Sequence, residues 1–170
     1  MIPKKLIELL VFSMISSSLV AQESQPNFIV IMADDLGYGD LGVYGSTLIK
    51  TPNLDQMAAQ GVHLTSFYSS ANVCTAARGG LLTGRYPIRL DLVSDVARPT
   101  NEIHLSESET TIAETLKSAG YATAIFGKWH LGSREEWSPL NHGFDEFYGV
   151  FHSNDTVSYT HLTLPTILLV

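Results

Sequence analysis

The feature that most narrows what this chain can become is an uninterrupted apolar run, Phe28-Ile29-Val30-Ile31-Met32-Ala33, ending abruptly at the acidic pair Asp34-Asp35. A run without polar alternation is the pattern of a strand buried on both faces, as parallel sheets covered by helices produce. The segment from Thr51 then reads as a helix. Thr51 is a candidate N-cap, Pro52 stands at the first helical position, Leu54, Met57 and Ala58 share a face, and Gly61 stops it. Val62 to Tyr68 mixes apolar and β-branched residues as a second strand would. Thr75 to Leu82 reads as a helix despite Gly79 and Gly80, which puts Cys74 on the strand-to-helix loop before it. Glu109 to Ala119 carries Ile112, Ala113 and Leu116 at helical spacing with Gly120 just past the end, and Tyr121 to Phe126 is another buried-strand run. Strand and helix alternate, which predicts an α/β sandwich with a largely parallel central sheet. In such folds sites gather beyond the carboxyl ends of the strands. Asp34, Asp35, Lys128 and His130 all fall just past an expected strand end.

Both ends of the chain read differently from its middle. Lys4 and Lys5 precede an apolar, serine-diluted stretch, Leu6 to Val20, that closes at Ala21. This is the pattern of a secretory signal over residues 1–21, and the stretch falls short of the roughly 20 apolar residues a membrane-spanning helix needs. No cysteine follows to take a lipid, so the expected location is periplasmic or secreted, with no stable membrane anchor. At the other end, Val157 to Thr166 resembles the in-frame translation of a transposase sequencing adapter. The expected organisation is therefore a catalytic-domain segment over 22–156 followed by a non-native tail over 157–170, with a native β-rich segment as the alternative.

Charge removes one class of function. Ten Lys plus Arg against 17 Asp plus Glu gives a formal net charge of -7, the wrong sign for gripping nucleic acid or anionic lipid. An anionic substrate would have to be held by a local cationic pocket or a metal. Cys74 is the only cysteine in a chain expected to enter an oxidising compartment, where structural cysteines come in pairs. It is either a small buried hydrophobe or a residue kept for its chemistry.

Two local patterns carry chemistry. Gly37-x-Gly39-x-x-Gly42 after a strand fits a dinucleotide-binding turn, but Asp34 and Asp35 would repel a pyrophosphate there unless a cation intervened. The acidic pair suits a hard divalent cation, or else a capped turn in solvent. The second pattern is Cys74-Thr75-Ala76-Ala77-Arg78, continuing through Leu82-Thr83-Gly84-Arg85. It resembles the signature of the type I, formylglycine-dependent sulfatases, arylsulfatase-like, in which a Cys is followed at the fourth position by Arg and then by Leu-Thr-Gly. The resemblance runs over nearly all of Asn27 to about Val150. It includes Thr51-Pro52-Asn53-Leu54-Asp55, the block ending Phe126-Gly127-Lys128-Trp129-His130-Leu131-Gly132, and His142-Gly143-Phe144-Asp145-Glu146-Phe147.

The resemblance implies an alkaline-phosphatase-like α/β fold and hydrolysis of a sulfate ester, R-O-SO₃⁻, to alcohol and sulfate. It implies that Cys74 is oxidised to Cα-formylglycine, whose hydrate attacks sulfur with one hydroxyl and expels sulfate by deprotonation of the other. It assigns Asp34, Asp35 and residue 74 to a divalent metal, calcium ahead of magnesium. Arg78 would stabilise the hydrated aldehyde, Lys128 would contact nucleophile and sulfate oxygens, and His130 would assist the second deprotonation. Taken singly, Arg78 could pair with a surface carboxylate, Lys128 could be a solvated charge, and His130 beside Trp129 could be a packed core histidine. The implied substrate is a sulfated carbohydrate or aryl sulfate.

Two departures from the family pattern bear on this. Ala76 and Ala77 stand where the family more often has Pro and Ser, and Ala at the first position resembles the substrates of radical-type maturases. The family's remaining metal ligands, a later His and a later Lys have no counterpart in this chain. The competing readings are a phosphonate or phosphate monoester hydrolase of the same fold, and a non-catalytic binder of sulfated glycans in which Cys74 is never converted.

Overall fold

The computed structural model describes residues 25–152 and a strand at Thr166–Leu169. The signal-like segment 1–21 and most of the tail 157–170 lie outside the described residues. Among the described residues, four strands, β1 (Ile29–Met32), β2 (Ala124–Lys128), β3 (Glu146–Val150) and β4 (Thr166–Leu169), are joined with three α-helices, α1 (Pro52–Gln60), α2 (Cys74–Thr83) and α3 (Ile112–Ser118), and several short 3₁₀ turns.

The helix boundaries follow local chemistry. Pro52 opens α1 and Gly61 closes it by donating to the Met57 carbonyl at 2.9 Å. Thr51 does not cap the helix with its side chain. Its hydroxyl accepts from the Gly42 N–H at 2.8 Å and donates to Asp55 at 3.0 Å, binding the glycine-rich turn to α1. In α3, Thr111 and Glu114 form a reciprocal capping box, and Gly120 follows at φ 90°. The glycine pair inside α2 is a packing device. A Cβ on Gly79 would lie 2.5 Å from Leu92 Cδ1, and one on Gly80 would lie 2.1 Å from Ser70 Oγ.

The strand order is β1-β4-β2-β3. β2 and β3 pair in parallel from Ala124 opposite Glu146 to Lys128 opposite Val150, whereas β4 runs antiparallel to both β1 and β2. Because β4 opposes both its neighbours, β1, β2 and β3 all point the same way and their carboxyl ends emerge on one edge. Among the described residues, the only strand against the parallel grain comes from the 157–170 segment.

Three expectations from the sequence are corrected. Val62 to Tyr68 forms no strand: it crosses the surface as turns and irregular chain, with Val62 86% and Tyr68 80% exposed. A strand needs a partner ladder and one protected face, and among the described residues this run has neither. β1 is four residues long and is not buried on both faces, since Ile29 is 64% and Ile31 55% exposed while Val30 packs on the core. Among the described residues, only the side carrying Val30 is packed on the core. Cys74, placed by the sequence on the loop, is the first residue of α2 itself.

The core holds Leu82, Leu92, Leu105, Ile125, Trp129, Leu131 and Phe144. Trp129 donates its indole N–H to the Trp137 carbonyl at 2.8 Å and carries the buried His142 ring against it, with centroids 5.5 Å apart. Thr111 secures this corner from α3. Its buried hydroxyl donates to the His142 carbonyl at 2.8 Å and accepts from the Glu114 N–H. Thr111→Val should cost about 2–3 kcal/mol, combining a lost N-cap with an orphaned buried carbonyl, while Thr111→Ser should cost under about 1 kcal/mol. Urea unfolding of the three proteins checks the ranking.

Candidate functional site

The site assembles where the carboxyl ends of β1 and β2 meet the first turn of α2. β1 ends at Met32, and the chain turns through Asp34 to Asp35, which sits at φ 57° in the left-handed region. Asp tolerates that conformation better than most residues, and the turn directs the acidic pair off the sheet edge. The following glycine-rich segment folds into two 3₁₀ turns, and three amides of that segment are taken by side chains of this chain. Gly37 N–H donates to Asp40 at 2.8 Å, Gly42 N–H to Thr51 at 2.8 Å, and Val43 N–H to Asp55 at 2.7 Å. Two of those acceptors are carboxylates, so the turn offers no cradle for a pyrophosphate.

Asp34 is the point on which the other groups converge. Lys128 Nζ lies 2.9 Å from Asp34 Oδ2 and 3.2 Å from Cys74 Sγ. Arg78, one turn into α2 and 3% exposed, reaches Asp34 Oδ1 at 3.2 Å and also donates to the Lys128 carbonyl. The Cys74 thiol lies 3.7 Å from Asp34 Oδ1. Partial burial raises the Asp34 carboxyl, but the hydrogen bond and charge of Lys128, and then those of Arg78, outweigh it and hold the group below its ordinary value. Asp35 completes a triplet with Asp34 and Cys74 whose potential ligand atoms all lie within 4.8 Å of one another.

His130 follows β2 with φ 59°, another left-handed non-glycine residue. Its N–H donates to the Phe151 carbonyl at 2.8 Å, continuing the β2–β3 contact past the last strand pair, and its own carbonyl accepts from Thr75 Oγ1 at 2.8 Å. Burial is the chief cause that pushes its imidazole down to about 4, and the Lys128 charge adds to it, while a backbone hydrogen bond to Ala97 works the other way. Nδ1 has no hydrogen-bond partner among the described residues.

All the sequence-predicted site residues thus come together: Cys74, Arg78, Lys128 and His130 with Asp34 and Asp35. All but Arg78 line one cleft of about 710 Å³. The structure adds groups the sequence did not single out. His152, just past β3, and the segment Val96 to Thr100 form the cleft's other wall. His152 sits at a strand's carboxyl end, which was the available signal; the 96–100 wall carries none.

The comparisons with known proteins bear on the family of the chain. A sequence model of the family described as Sulfatase matches residues 26–166. The chain belongs to the sulfatase family. It is similar to arylsulfatase A of Bos taurus, 47% identical over 146 residues that cover 85% of this chain and 29% of the relative. It is also similar to N-acetylgalactosamine-6-sulfatase of Rattus norvegicus, 47% identical over 131 residues covering 73% of this chain and 25% of the relative. Among solved structures, the PsFucS1 sulfatase from Pseudoalteromonas sp. superposes with a TM-score of 0.69 at 38% identity, covering 88% of this chain and 30% of that one. The fold is therefore the alkaline-phosphatase-like α/β fold of the sulfatases, of which this chain spans between a quarter and three tenths of the relatives' length.

In this sulfatase-family chain the titration of His130 is a direct check on its placement. A histidine held near 4 when folded and at 6.5 when unfolded takes up its proton on unfolding between those values, so stability from this group rises with pH across that window and is lost as pH falls. NMR titration of the His130 ring should show neutral imidazole throughout the neutral range and well below pH 6.5. A midpoint at the unfolded value would contradict the burial.

Proposed function

We propose that this chain supplies the nucleophile half of an exported sulfuric-ester hydrolase, which converts R-O-SO₃⁻ and water to R-OH and sulfate. The observation that carries the reading is the position of the chain's only cysteine, between the Lys128 ammonium and the Asp34 carboxylate at the mouth of a cleft. A thiol kept merely as a small hydrophobe has no need of a buried ammonium at 3.2 Å.

The charges support an anionic substrate together with a metal. Lys128 and Arg78 are balanced by Asp34 and Asp35, so the chain's own groups sum to zero, and a divalent cation would leave the cleft attractive to a sulfate. Asp34 and Asp35 offer hard oxygen donors; Cys74 Sγ is soft and fits calcium or magnesium poorly. Conversion of Cys74 to formylglycine would replace that sulfur by oxygen and make the donor set uniform. Calcium is the first assignment and magnesium the second, because an open, irregular set of oxygens suits the looser of the two ions. The metal would polarise oxygens of residue 74 and sulfate, and the hydrated formylglycine would supply one hydroxyl to attack sulfur and a second to release it.

The remaining roles fall to side chains in this chain. Lys128, within reach of both residue 74 and Asp34, holds the nucleophile and a sulfate oxygen. Arg78 anchors Asp34 and steadies residue 74 from the buried side. His130, kept neutral by burial, is able to accept a proton at Nδ1. The substrate class is a sulfated carbohydrate or aryl sulfate, and the rest of the metal and sulfate ligands come from sequence beyond this chain. Thr75 to Gly80 are all buried in α2, so a maturase, radical-type given Ala76, would have to act on Cys74 before folding. Residues 1–21 are assigned to a cleaved signal, with periplasmic or secreted location; among the described residues no helix is long and apolar enough to cross a membrane. The tail from Val157 is assigned to a non-native adapter, and genomic DNA across Asn154 to Val170 should continue past Thr156 in a different sequence.

Full-length enzyme made with a maturase tests the reading. The peptide containing Cys74 should show an aldehyde in place of the thiol, and the enzyme should hydrolyse an aryl sulfate faster than the matched aryl phosphonate. Cys74→Ala should abolish turnover, and Asp35→Asn should weaken calcium binding by roughly 10–100-fold as measured by titration calorimetry, a loss typical of a disturbed metal shell. Unmodified Cys74 in an inactive protein that still binds sulfated glycan would favour the binder, and preference for the phosphonate would overturn the sulfatase assignment.

A further inference from the structure

We infer that Thr75 is a positioning residue that fixes the backbone of His130 and holds the 96–100 wall of the cleft against the helix carrying Cys74. Thr75 is completely buried, and its hydroxyl is fully used: it donates to the His130 carbonyl at 2.8 Å and accepts from the Ala97 N–H at 2.9 Å. One oxygen therefore joins three segments that are far apart in sequence, namely the start of α2, the end of β2 and the wall.

The geometry explains why a hydroxyl is needed there. Thr75 and Arg78 lie three apart on one face of α2, and they take the carbonyls of His130 and Lys128 respectively, two residues apart where the chain leaves β2. The strand end is thereby pinned to the helix at two alternate residues. His130 needs the second pin, because its left-handed φ of 59° is a conformation a non-glycine residue keeps only when its surroundings impose it. Phe151 holds its N–H and Thr75 its carbonyl, so both peptide groups flanking the imidazole are fixed. The same hydroxyl sets how close Ala97 comes to Cys74, and Ala97 is the fully buried inner edge of the wall that ends in Pro99 and Thr100. Thr75 contacts no reacting atom; it acts through His130 and through the wall.

The kinetic part rests on the hydrolase reading above; the structural part does not. The experiment uses full-length enzyme made with its maturase, comparing wild type with Thr75→Val, Thr75→Ala and Thr75→Ser. Three quantities are read for each: the fraction of Cys74 converted, from peptide mass; hydrogen exchange at the Ala97 amide; and kcat and KM on an aryl sulfate per converted site. Thr75→Val and Thr75→Ala should speed Ala97 exchange at least about 10-fold and lower kcat per converted site by roughly 10–100-fold, the loss expected when a reacting group is misplaced by about an ångström. Thr75→Ser should restore both to within a few-fold. Wild-type exchange at Ala97 in the Val and Ala variants would overturn the proposal, as would a loss accounted for entirely by poorer conversion, or by KM alone without rescue by Ser. If wild type turns over no sulfate ester, the hydrolase reading falls and the Ala97 amide alone decides the role of Thr75.

Discussion

One carboxylate organises this molecule. Asp34 takes Lys128 on one oxygen and Arg78 on the other, and both cations are withdrawn almost entirely from water. Placing an ammonium and a guanidinium side by side in a protein interior is strongly unfavourable unless an anion lies between them. Asp34 is that anion. The arrangement holds only because β1 delivers Asp34 to the same edge at which β2 delivers Lys128, and because α2 begins where its fourth residue past Cys74 can reach both. The parallel direction of β1 and β2 is thus a requirement of the site as well as a property of the fold.

Backbone strain is concentrated at the same place. Among the described residues, Asp35 and His130 are two of the three non-glycine residues with left-handed φ, and each stands within three residues of the end of a strand that builds the edge. Each chain must leave its strand, present a side chain to the cleft and return under its neighbours within a few residues. The hydrogen bonds that hold His130 in this state come from β3's continuation and from α2, so the interior of the sheet supports a conformation that the local sequence alone would not adopt.

Much of this was legible in the sequence where the signal is local. Pro52, Gly61 and Gly120 mark helix ends through their own backbone chemistry, and the structure puts those ends there, whereas α3 opens at Ile112 behind its Thr111 cap and not at the expected Glu109. The site residues were legible chiefly because Cys74 to Arg85 and Phe126 to Gly132 resemble the sulfatase signature, with the position of Asp34, Asp35, Lys128 and His130 just past expected strand ends in support. The misreadings came where the outcome depends on what lies opposite. Val62 to Tyr68 has the composition of a strand but no ladder to join, and β1 has the composition of a doubly covered strand but one covered face. Thr75, His152 and the 96–100 wall could not be picked out, since a threonine bridging segments 22 and 55 residues away leaves no pattern in either neighbourhood.

The most direct test is a crystal structure of the full-length enzyme grown with calcium. The account predicts one ion bonded to carboxylate oxygens of both Asp34 and Asp35 and to an oxygen on residue 74, with the Lys128 ammonium and the Arg78 guanidinium still converging on Asp34 and residue 74. An ion held by other residues, or an Asp34 side chain turned away from both cations, would contradict it.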